Sequence, residues 1–204
     1  MGTALATHLK YSVPWIALGA AVVIPSAVAL SSPLLEWRDP VYITAGFAGV
    51  VAMALLLVQP LLVGGYLPGM RSLRGRRMHR WVGVGLFSTV VVHVGALWIT
   101  SPPDVIDALL FRSPTTFSLW GVVAMWAVFA AALLASFRRR LRFSQRLWRT
   151  AHTALAIVVV STSVVHALLI DGTMGNLSKA VLCVLAIVAT AKVAIDLRCW
   201  TGAR

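Results

Sequence analysis

The chain is 204 residues long, 59% hydrophobic and only 12% charged, with a mean hydropathy of +0.87. That balance excludes an ordinary soluble domain, which needs a polar surface to stay dissolved. A net charge of +12 would suit a nucleic-acid binder, but the basic residues stand in blocks between apolar runs of about 20 residues, the length that crosses a bilayer as a helix. Nucleic acid is therefore not an expected partner, and the membrane is.

The pattern predicts an all-α, polytopic membrane protein: one domain over 1–204, built as a six-transmembrane-helix bundle. The first span, 12–30, carries Pro14 and Pro25, either of which can bend or break a helix. Its basic start and Ala27-Val28-Ala29 resemble a cleaved leader; the expectation is that it stays, since its removal would leave five spans. The second span, 41–63, leads to the third, 78–99, which carries His79 and His93. The longest external connection follows, from Ser101-Pro102-Pro103-Asp104 to Pro114, and is the expected docking place for an acceptor. The fourth span is 117–136, and the basic cluster from Arg138 to Arg149 follows it. The fifth, 149–170, carries His152 and His166. The sixth is 177–197, with Cys183 and Cys199 near or within it; without a CxxC pair each is expected to be a packed thiol. Neither a strand pattern nor a G-x-G-x-x-G fingerprint is present.

Orientation follows from the basic residues. Of the eighteen Lys and Arg, one side holds fifteen: Lys10, Arg71, Arg74, Arg76, Arg77 and Arg80, then Arg138, Arg139, Arg140, Arg142, Arg146 and Arg149, then Lys192, Arg198 and Arg204. The other side holds only Arg38, Arg112 and Lys179. Both termini are thus expected to be cytoplasmic, in a multi-pass protein of the cell inner (plasma) membrane. Tryptophans agree: Trp15, Trp81, Trp148 and Trp200 fall near the cytoplasmic span ends and Trp37, Trp98 and Trp120 near the others, as interfacial anchors do.

Five histidines are present. His8 lies in the N-terminal segment and is expected to be solvated or interfacial. The others form two pairs with the same spacing of fourteen, which ends about 40° short of four helical turns and puts the two rings of a pair on one face, about 21 Å apart. The third and fifth spans run parallel, so the histidines match by depth: His79 with His152 near the cytoplasmic end, His93 with His166 deeper. Haem iron takes two axial ligands on opposite faces of a flat ring, and neutral imidazole serves. Gly83, Thr89, Ala156 and Thr162, each four residues from a histidine, leave room for such a ring. Arg80, Arg146 and Arg149 lie near the inner level, where they can pair with propionates. A path for a transition metal, or a metal or proton transporter using the histidines as a relay, is the competing expectation; against it, the spans hold almost no carboxylate.

The run Gly75-Arg76-Arg77-Met78-His79-Arg80 followed by His93, with Trp148-Arg149-Thr150-Ala151-His152 and then His166, resembles the ferric reductase-like transmembrane domain. That superfamily takes in ferric reductases, NADPH oxidases and the haem-binding subunit of a bacterial methionine sulfoxide reductase system. The resemblance implies haem b, one or two per chain, with His93 and His166 as ligands nearer the outer face and His79 and His152 nearer the cytoplasm. It implies an oxidoreductase component that passes electrons from a cytoplasmic flavoprotein or quinol to an acceptor outside. Redox partner proteins on the cytoplasmic or periplasmic side are expected. The sequence stops at Arg204 before any flavin or nicotinamide domain, so FMN, FAD or quinone is expected from a partner. An anchor subunit of cytochrome b type in a larger respiratory complex is the alternative.

Overall fold

The computed structural model describes residues 2–70, 73–138, 140 and 142–197, with side chains from Leu9 onward except Lys10. Arg71, Arg139, Arg198, Cys199, Trp200 and Arg204, and the side chains of His8 and Lys10, lie outside the described residues. Among the described residues seven α-helices follow one another: α1 Gly2–Leu30, α2 Pro40–Gly64, α3 Leu73–Thr100, α4 Pro102–Leu109, α5 Thr116–Phe137, α6 Gln145–Leu169 and α7 Asn176–Asp196. All but α4 are long and apolar enough to cross a bilayer, α1 over Tyr11–Leu30. The protein is a multi-pass, all-helical membrane protein. Pro14 and Pro25 leave α1 unbroken.

Local chemistry sets the boundaries. Pro40 opens α2 with its ring where no N–H is needed, and Asp39 Oδ1 accepts from the Val41 N–H at 2.7 Å. Gly65 ends the helix in the left-handed region at φ 69°. Ser144 caps α6 by accepting from the Leu147 N–H. Helix α4 lies inside the expected external loop. Pro102 opens it, the Ser101 hydroxyl donates to Asp104 at 2.6 Å, and Val105 is buried.

Helices α2, α3, α5, α6 and α7 pack in succession into a ring that α7 closes on α2, with α1 outside against α2 and α7. Lipid is as apolar as leucine, so close approach of small side chains holds such helices together. Ala45, Ala48 and Ala54 of α2 and Ala186, Ala189 and Ala194 of α7 are buried accordingly. By contrast, α3 and α6 pack chiefly on α2 and α5 and little on each other. Across the middle of the ring, Leu86 of α3 and Val159 of α6 join the apolar core with Leu56, Leu57, Val128 and Leu182. Each lies midway between the two histidines of its own helix, so the core separates two polar levels.

Both ends of the ring are tied. At the end that carries most of the arginines, the Arg149 Nη2 donates to the Leu197 carbonyl at 2.9 Å, Tyr66 donates to Asp196, and Lys192 pairs with Asp196 at 2.8 Å. At the other end Lys179, 6% exposed, donates to the Ile170 carbonyl at 2.6 Å. That places a cation at the C-terminus of α6, where the helix dipole favours it. Cys183, one turn along α7, is buried as a free thiol.

Candidate functional site

The four span histidines converge in pairs across the gap between α3 and α6. His79 and His152 have ring centres 6.2 Å apart with planes at 77°. His93 and His166 are 6.4 Å apart at 82°. These are the two level-matched pairs that the fourteen-residue spacing predicts.

Neighbouring helices hold the rings. His93 Nδ1 faces the Ala45 carbonyl of α2 at 2.7 Å, and His166 Nδ1 faces the Phe117 carbonyl of α5 at 2.8 Å. His79 Nδ1 faces the Gln59 carbonyl at 3.2 Å. A carbonyl can only accept, so in His93 and His166 Nδ1 carries the proton and donates, and Nε2 keeps its lone pair for a ligand bond; His79 Nδ1 also meets the side-chain amide of Gln59. Ala45 and Gln59 are themselves fourteen apart on α2, the antiparallel counterpart of the histidine spacing on α3.

Two glycines let the His93 and His166 rings lie against these helices. Gly121 of α5 packs on His166 so closely that a Cβ there would stand 2.7 Å from ring atoms Cε1 and Nδ1. Gly49 of α2 packs on His93, where a Cβ would sit at 3.4 Å, in tight but tolerable contact. Each glycine lies one turn after the carbonyl that holds the same ring. Gly75 of the basic motif serves the helix contact: a Cβ would come 2.7 Å from the Leu62 carbonyl.

His152 is held differently. Its Nδ1 is buried and has no hydrogen-bond partner. Its ring instead stacks on Trp148, with centres 5.3 Å apart and planes at 9°. The Arg138 guanidinium lies over the same indole, 4.1 Å from the ring centre. Trp148, expected as an interfacial anchor, stands half-buried in the first turn of α6 with its indole against His152. The reason is position: Trp148 stands four residues before His152, on the same helix face.

The remaining expected residues divide. Arg80 is exposed at the arginine-rich end beside His79, whereas Arg149 spends at least one donor on the end of α7. Gly83 faces Gln59, whose side-chain amide lies between His79 and Gly83. Thr89 and Thr162 turn their hydroxyls to carbonyls of their own helices. Ala45, Gly49, Gln59, Phe117, Gly121 and the stacking role of Trp148 are additions that the histidine spacing alone does not supply.

The donor set fits haem better than a bare ion. Among the described residues no three of His, Cys, Asp and Glu converge, whereas a zinc or copper site draws three or four ligands from the protein. A porphyrin brings four nitrogens and asks the protein for two. Each histidine pair would offer two such nitrogens from opposite sides of a gap, with ring centres 6.2 and 6.4 Å apart.

Residues 45–163, more than half of the chain, match the family model described as ferric reductase like transmembrane component. The match takes in His79, His93 and His152 and ends three residues before His166. No curated protein and no solved structure matches the chain.

Proposed function

Because this chain belongs to the family of ferric reductase-like transmembrane components, we propose that it is a haem b-binding electron-transfer protein of the plasma membrane. It conducts electrons from a cytoplasmic flavoprotein or quinol to an acceptor on the outer face. The observation that supports this is the meeting of two histidine pairs, 6.2 and 6.4 Å between ring centres, across a gap between two helices.

Four side chains would hold two haems, His79 with His152 and His93 with His166. When bound, haem iron supplies a one-electron couple at each level. The chain's own residues do the rest. Carbonyls of Ala45 and Phe117 fix His93 and His166 in the ligating tautomer, and Gln59 of α2 holds the His79 ring. Leu86 and Val159 fill the space between levels with apolar side chains, which keeps water out of the path. The arginines at the His79 end raise the local concentration of an anionic donor protein, and Arg80, exposed beside His79, would pair with a propionate. The orientation that makes this end cytoplasmic follows the positive-inside rule.

The test is transmembrane reduction. Haem-loaded protein is reconstituted in vesicles with reduced flavin trapped inside and ferricyanide outside. Reduction of external ferricyanide that is lost in both His79→Ala and His93→Ala is expected. Reduction no faster than in protein-free vesicles would contradict the proposal.

A further inference from the structure

Three of the four histidines share one device: Nδ1 lies within hydrogen-bond distance of a backbone carbonyl of an adjacent helix. The fourth does not. By the fourteen-residue spacing that relates Ala45 to Gln59 on α2, the position on α5 that would serve His152 is Ala131, fourteen after Phe117. The His152 Nδ1 makes no such bond and is buried without a partner. A buried ring with an unsatisfied nitrogen should drift towards any partner, yet this one lies nearly parallel to a neighbour, the Trp148 and His152 planes differing by 9°. The indole is itself held. Arg138, just past the end of α5, lies over it at 4.1 Å and also bonds to Gln145 in the first turn of α6.

We propose that Trp148 is the positioning residue for His152, its indole doing by stacking what a carbonyl does for the other three histidines, with Arg138 clamping the indole from the arginine-rich surface. This rests on the haem reading above and deepens it. Stacking fixes the plane of an imidazole but leaves rotation within that plane free, whereas a hydrogen bond to Nδ1 fixes the ring's direction. The His79–His152 level is therefore the less rigid of the two, and its geometry is set from a surface that a partner protein can touch. A donor carrying carboxylates that drew Arg138 away would loosen the indole and, through it, the ligand.

The test uses haem-loaded full-length protein in detergent and reads the low-spin ferric resonances of each level, assigned by loss in His79→Ala and in His93→Ala. Trp148→Leu is expected to broaden or abolish the resonance of the His79–His152 level, with about a tenfold or larger fall in haem affinity there, the scale on which losing a ligand's supporting residue acts. The other level should be unmoved. Trp148→Phe, which keeps a stacking ring, should restore the wild-type resonance, and Arg138→Gln should broaden it without loss of haem. If Trp148→Leu leaves both resonances unchanged, or disturbs both levels equally and Trp148→Phe fails to restore either, the positioning role is wrong. Wild-type protein without any haem resonance would instead overturn the haem reading itself, and this inference with it.

Discussion

His93 and His166 meet from helices that scarcely touch: their ring centres are 6.4 Å apart, and each is tethered through Nδ1 to the helix beside its own, at Ala45 and Phe117. Each tether makes the imidazole a stiff arm. Substitution of either arm should therefore empty one level and spare the other. His93→Ala and His166→Ala are expected to remove the same half of the bound haem, and His79→Ala and His152→Ala the other half, as read by pyridine haemochrome. Loss of all haem from any one substitution would mean that the levels are not independent.

The two glycines predict graded effects. Gly121→Ala puts a methyl 2.7 Å from His166 ring atoms, closer than packed atoms come, and the ring must move off its carbonyl. Haem affinity at the outer level should fall about tenfold or more. Gly49→Ala meets His93 at 3.4 Å and should stay near wild type. Haem titration of the two variants side by side checks the order, and equal affinities would contradict it.

Lys179 closes α6 one turn beyond His166. Lys179→Met keeps most of the side chain and removes the ammonium, leaving the Ile170 carbonyl without its donor. A charged hydrogen bond of this kind is worth about 1.5–3 kcal/mol. The thermal midpoint in detergent should drop, and the outer haem should be released before the inner one on heating. An unchanged midpoint would show that the lysine is not needed to close the helix.

Orientation can be read with a membrane-impermeant thiol reagent, because Cys183 is buried. On a Cys199→Ser background, Ser113→Cys, between α4 and α5, should label in intact cells. Arg142→Cys, between α5 and α6, should label only after permeabilisation. The reverse pattern would invert the direction of electron flow.

Much of the bundle is legible because lipid imposes a simple rule: an apolar run must become a helix, and its length fixes the span. The level pairing of His79 with His152 and His93 with His166 follows equally from helical rise and strand-free topology. The tethers are hidden for a physical reason. The carbonyls of Ala45, Gln59 and Phe117 are backbone atoms, which every residue has, so their partners are decided by helix packing alone. Gly49 and Gly121 stand among many glycines in apolar spans, and only close approach distinguishes them. Trp148 has a double meaning: near a span end it reads as an anchor, while its offset of four from His152 puts it on the inward face. Ser101-Pro102-Pro103-Asp104 carries the start signals of a helix, and α4 is short enough to pass for a loop.

The central claim is that the two histidine pairs hold haem b, and a reduced-minus-oxidised spectrum with haemochrome stoichiometry tests it most directly. Protein purified after expression with ample haem should show a Soret band and the α-band of low-spin b-type haem, with about two haems per chain, one for each bis-histidine level. No Soret band under those conditions would contradict the account.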